Sequence, residues 1–190
     1  MIIVDIETCG IDPRTNCMLS LGAVDYDTGR DFYGECSTYP DTLIDPVAME
    51  ICGFDIKDVQ PGKKQLAHAL YASFVRWARG SCADNVLAGH NVGHFDILFL
   101  EHYHMASIGL GKFPFSYRTV DLHSIAFAVF GKSMKHSDIC LALGLPAEPK
   151  PHNALSGARS ERDAFRELFA MQTIDDTPKC QRHSWCGKAS

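Results

Sequence analysis

The first ten residues, MIIVDIETCG, place two carboxylates, Asp5 and Glu7, one residue apart behind an apolar run. On a β-strand, residues i and i+2 face the same side. Asp5 and Glu7 therefore project together, their Cα atoms roughly 6–7 Å apart, while Val4 and Ile6 turn into the protein. Two carboxylates side by side at the end of a buried strand repel each other unless positive charge lies between them. A divalent cation with oxygen ligands would supply it. The plain alternative is an edge strand with an acidic wet face. Further along, AGHNVGHFDILFL brings Asp96 after a short apolar run and a glycine-containing loop, near the start of a helix, with His90, Asn91 and His94 in that loop. In PKPHNALSGARSERDAF, His152 stands at the mouth of the last helix, its approach fixed by Pro149 and Pro151. Histidine changes charge near neutral pH and can take a proton there.

The elements that must position these residues follow from patterning. Residues 1–7 read as a strand. Met18–Asp25 and Asp31–Thr38, joined by Thr28-Gly29, read as a β-hairpin, so residues 1–38 form three consecutive antiparallel strands. Residues 44–54 predict a short helix opened by Asp45-Pro46 and stopped by Gly53. Residues 64–79 predict an amphipathic helix, and residues 86–89 a short buried strand. Helices follow over 95–106, over 122–130 after Thr119-Val120-Asp121, and over 136–143. After a proline-rich connection, a last helix runs over 153–171 with Ala158, Phe165, Leu168 and Phe169 on one stripe. Strands first, then strands alternating with helices, predict α/β layers on a mixed sheet. No internal repeat or long linker divides the chain. One domain over 1–175 is expected, with 176–190 as a flexible tail.

The 190 residues suffice for a sizeable core. No run of 18 apolar residues suggests a membrane span, and no basic leader precedes the first strand; the expected location is cytoplasmic. The eight cysteines lie mostly inside apolar runs, as buried thiols in a reducing compartment would. Cys180, His183 and Cys186 have spacing that could form part of a zinc site, but an unordered polar tail is the reading preferred. A net charge of −5 gives no support for non-specific nucleic-acid binding. An enzyme acting on nucleic acid is still compatible with it, since bound metal reverses the field of a carboxylate cluster.

Taken in order, VDIETCGIDP, GHNVGHFDILFL, TVDLHSIA and HNALSGA resemble the motifs of the DEDDh, or DnaQ-like, 3′–5′ exonucleases, across roughly residues 1–171. The resemblance implies a ribonuclease H-like three-layer α/β/α fold with a mixed five-stranded sheet, its first three strands antiparallel. It implies two Mg²⁺ or Mn²⁺ ions, with Asp5 bridging them, Glu7 holding one, and Asp96 acting directly or through water. It also implies His152 as the base that takes a proton from the attacking water. The substrate would be the 3′ end of single-stranded DNA or RNA, and the product a nucleoside 5′-monophosphate. Thr8, Cys9, Gly10 and Ile11 would form the terminal-nucleotide pocket, and Asn91 would contact the substrate backbone. Many members of this family pair as homodimers.

One position departs from the family pattern. Its fourth carboxylate lies five residues after the histidine, and here that residue is Gly157. A glycine inside a helix costs roughly 1 kcal/mol relative to alanine. Position 161 lies about 40° around the helix from 157, one turn on, so Glu161 could turn back toward the metals; a solvated helix residue is the equal alternative. Asp163, about 240° away, should face elsewhere. Two rival functions remain at this level: a catalytically weakened module that binds nucleic-acid 3′ ends, because the cage lost a carboxylate, and a nucleotide hydrolase on the same fold.

Overall fold

In the computed structural model, residues 1–108, 111–147 and 149–173 are described. The first strand, β1 (Ile2–Thr8), is an interior strand of a six-stranded sheet. It pairs antiparallel with β2 (Met18–Asp25), which pairs antiparallel with β3 (Asp31–Ser37). On its other side β1 pairs parallel with β5 (Leu87–Gly89), and β5 pairs parallel with β6 (Thr119–Asp121). The sheet order is β4-β3-β2-β1-β5-β6, with β4 (Gln65–Leu66) parallel to β3 at the far edge.

Helices cover both faces, which is why β1 is apolar at consecutive positions rather than at every second one. Ile2, Val4 and Ile6 pack into one core with Leu70, Tyr71 and Phe74 of α3 (Ala67–Ser81) and Phe99 of α4 (Asp96–Ile108). Ile3 packs into the other, with Leu122 and Ala126 of α5 (Leu122–Phe130), Ile139 of α6 (His136–Ala142), and Ala158, Phe165 and Leu168 of α7 (Ala154–Thr173). By the same alternation Asp5 and Glu7 belong to the α7 face. The layering is α/β/α, as the resemblance implies.

Helix α1 (Pro46–Cys52) begins where Asp45 Oδ1 accepts from the N–H of Val47, and ends at Gly53, whose φ of 68° is the left-handed conformation that favours glycine. Asp121 caps α5 in the same way, accepting from Ser124 N–H at 2.8 Å.

Three features differ from the expected elements. The sheet has six strands rather than five because Gln65 and Leu66 pair with Cys36 and Ser37 before the helix starts. Two residues give too short a pattern to reveal alternation, and an ion pair between Lys64 and Glu35 ties that segment to β3. The helix expected over 64–79 therefore starts at Ala67 and runs to Ser81. A four-residue helix, α2 (Ile56–Val59), lies where no element was predicted. Among the described residues no helix is long and apolar enough to cross a membrane. The expected tail, with Cys180, His183 and Cys186, lies outside the described residues.

Candidate active site

Asp5 and Glu7 open onto one cavity of about 320 Å³ at the C-terminal end of β1. The register with β2 fixes them: Asp5 lies opposite Gly22, and Glu7 opposite Ser20. Asp5 is half-buried and Glu7 only 9% exposed, so these are not the acids of a wet edge strand. Gly22 has a further role. A side chain there would place Cβ 2.2 Å from the backbone of Ala154, so its absence lets the first turn of α7 settle directly on β2, beside Asp5.

Asp96 approaches from the opposite layer. The pairing of β1 with β5 covers Ile2–Leu87 and Ile3–Ala88. Beyond it the N–H of Ile6 donates to Asp96 Oδ1 at 3.1 Å, which holds the carboxyl beside the backbone between Asp5 and Glu7. Asp96 is 4% exposed. Burial lifts its carboxyl to about 7, with the negative charge of Asp121 adding to the effect and its backbone hydrogen bonds opposing it.

His152 reaches the same cavity from the residues before α7. Its N–H donates to the carbonyl of Ile51 in α1 at 3.2 Å. The preceding Pro151 rests on Gly53, where a Cβ would fall 2.3 Å from the Pro151 ring. Asn153 follows His152 and organises the start of α7, its Oδ1 accepting from Leu155 and Ser156 N–H while its amide donates to Tyr33 Oη on β3. Helix α1 thus docks the segment carrying His152 and also supplies Ala48 and Ile51 to the cavity wall.

Glu161 lines this cavity from α7 and is 5% exposed. Its Oε1 accepts from the N–H of His90 at 3.1 Å. Asp163 instead faces away, half-exposed and paired with Arg162. Gly157 is buried within α7.

The other predicted residues divide. Thr8, Gly10 and Ile11 line the cavity, with Ile11 83% exposed at its mouth and Thr8 Oγ1 donating to Gly10 O. Cys9 does not join them: it is fully buried and its sulfur accepts from Cys17 N–H, the register having shifted between Glu7 and Thr8 so that the alternation placing Asp5 and Glu7 on the cavity face does not carry on to Cys9. Asn91 is exposed, with φ 58°, and lies outside the cavity lining. His136, Phe95, Ala48 and Ile51 do line the cavity and were not singled out from the sequence. His136 Nε2 lies 3.3 Å from Ser160 Oγ. A histidine opening a short helix carries no distinguishing signal, and the apolar residues read equally well as core.

The donor set suits a hard divalent cation: carboxylates of Asp5 and Glu7 from β1 and of Glu161 from α7 face one cavity, while Asp96 is buried against the Ile6 N–H and does not line it. Among the described residues no three His, Cys, Asp or Glu groups are gathered tightly around one point.

Residues 2–161 match the family model described as Exonuclease. The chain is 24% identical over 184 residues to ribonuclease T of Photorhabdus laumondii, covering 88% of this chain and 81% of that one. It is 28% identical over 171 residues to the 3′-5′ DNA exonuclease Cap18 of Escherichia coli (87% and 89% covered), and 29% over 173 residues to the DNA polymerase III subunit epsilon of Treponema pallidum (87% and 74%). Among solved structures it resembles product-bound exonuclease I with a TM-score of 0.74 at 16% identity, covering 91% of this chain but 44% of that one. It likewise resembles E. coli exonuclease I in complex with a dT13 oligonucleotide, TM-score 0.73 at 17% identity, with 91% and 41% covered. The chain thus spans less than half the length of those structural neighbours, and they share its fold. With the family model matching residues 2–161, most of its length, the chain belongs to the DnaQ-like exonuclease family.

Proposed function

We propose that the protein is a metal-dependent 3′–5′ exonuclease that removes the terminal nucleotide of single-stranded nucleic acid as a nucleoside 5′-monophosphate. One observation carries the reading. A single cavity joins Asp5 and Glu7, the imidazole of His152, and apolar walls from Ile11, Ala48, Ile51 and Phe95. The acidic part suits cations that hold a phosphate, and the apolar part suits a base. Relatives named ribonuclease T and 3′-5′ DNA exonuclease support both the bond cleaved and the direction.

Asp5, Glu7 and Asp96 would hold Mg²⁺ or Mn²⁺, which when bound acidifies water and neutralises charge at the scissile phosphate. His152 accepts a proton from the attacking water. The water oxygen bonds to phosphorus as the bond from phosphorus to the 3′ oxygen of the preceding nucleotide breaks, and that oxygen takes up a proton from solvent. The burial of Glu7 leaves little water to screen its attraction for a cation, whereas burial of Asp96 favours its protonated form until positive charge comes near. Packing of Ile11 and Ile51 against a base carries no hydrogen-bond code, so weak sequence preference follows.

The non-cutting end-binder is disfavoured by His152 itself: a binder has no need of a base beside the carboxylates. Incubation of matched DNA and RNA oligonucleotides with Mg²⁺, Mn²⁺ or EDTA tests the proposal and sorts the substrate. Stepwise shortening with either metal and none with EDTA is expected. Intact oligonucleotides in every metal condition, with retained end-binding, would establish the binding module instead. Hydrolysis of free nucleotides alone would point to the nucleotide hydrolase.

A further inference from the structure

Resting on the nuclease reading, we propose that Glu161 is the fourth metal-binding carboxylate of this enzyme, moved one helical turn along α7 from position 157.

The helix geometry allows the move. Residue 161 lies about 6 Å along the axis from 157 and about 40° around it. Helical Cα–Cβ bonds tilt toward the N-terminus, so the side chain of 161 leans back over the turn that 157 occupies. Glutamate has one methylene more than aspartate with which to cover the remaining distance. Gly157 contributes no side chain of its own to that turn.

The observed placement matches this reach. A carboxylate on a solvated helix face would stand in water, as those of Asp163 and Glu167 do on the same helix. That of Glu161 is instead buried at the sheet surface. A Cβ built on Gly89 would lie 3.1 Å from Glu161 Oε2 and 2.8 Å from the carbonyl oxygen of Val4, the residue before Asp5. The carboxylate therefore comes down onto β5 beside β1, in space that exists because position 89 has no side chain. The loop that follows β5 holds it there through the His90 N–H, and it faces the cavity with Asp5, Glu7 and His152.

A purely structural role, holding the His90 loop, is separable by chemistry. Glu161→Gln keeps the shape and an oxygen that accepts from His90 N–H, and removes only the charge. Calorimetric titration of the full chain with Mn²⁺, without substrate, is the direct test. The variant is expected to bind at least one Mn²⁺ roughly tenfold more weakly, or to lose one ion from the stoichiometry, while its metal-free melting temperature holds or rises. The Mn²⁺ concentration for half-maximal cleavage should rise in parallel. Glu161→Asp, which keeps the charge and shortens the reach, should weaken binding by a smaller factor. Wild-type Mn²⁺ titrations in both variants would overturn the assignment while leaving the nuclease reading intact. A wild-type chain that neither binds Mn²⁺ nor cuts would remove both.

Discussion

The site is built from two regions held in different ways. Asp5 and Glu7 sit on an interior strand and pair with Gly22 and Ser20 of β2, in a register that continues to β3. His152 sits on the segment entering α7, whose contacts include the His152 N–H donating to Ile51 O of a seven-residue helix, Pro151 on Gly53 and the Asn153 amide donating to Tyr33 Oη. To move the carboxylates, the centre of the sheet would have to break. To move the histidine, a few loop contacts must give. The division suits the chemistry. Cation ligands need fixed positions before substrate arrives, whereas a proton acceptor can complete its placement once a base has filled the pocket against Ile51.

This contrast can be broken from either side. The largest effect belongs to the sheet. Asp5→Ala should reduce cleavage by ~10³-fold or more, since metal stabilisation is worth several kcal/mol. Circular dichroism should stay unchanged and Mn²⁺ binding should be lost. His152→Ala should lower kcat by about 10²–10⁴, the usual range for a general base, yet leave Mn²⁺ binding intact, because its side chain stands in the other half. Retained activity in His152→Ala would dissolve the distinction between the halves. The smallest effect belongs to the docking contact. At Gly53, alanine meets both a left-handed backbone, which costs about 1–2 kcal/mol, and the Pro151 ring. Gly53→Ala should lower kcat several-fold with little change in Mn²⁺ affinity. An equal loss in Mn²⁺ affinity would mean that the two halves move as one.

What the sequence revealed follows the same division. The period of two in VDIET set Asp5 and Glu7 on one face, and the structure has them there, because strand alternation is a local property. The helix start at Asp45 and stop at Gly53 were legible for the same reason. Ala48 and Ile51 were not, since what makes them wall residues is where α1 docks, and their spacing fits an ordinary buried face. Cys9 belongs to a run whose other members line the cavity, yet it is buried: the motif supplied the run, and the break in register after Glu7, which no sequence period shows, took Cys9 off the cavity face. Glu161 was half-legible. Helix geometry allowed it two environments, and only the packing of α7 on Gly22 and Gly89 selected the buried one. The two-residue β4 was too short to show any period at all.

The most direct test follows single-stranded oligonucleotides labelled at the 5′ end, incubated with Mn²⁺ and either the wild-type chain or Asp5→Ala. The account predicts a ladder of products shortening one nucleotide at a time from the 3′ end, with nucleoside 5′-monophosphates released, abolished by EDTA and by the substitution. An uncut oligonucleotide with the wild-type chain and Mn²⁺, or an undiminished ladder with Asp5→Ala, would contradict it.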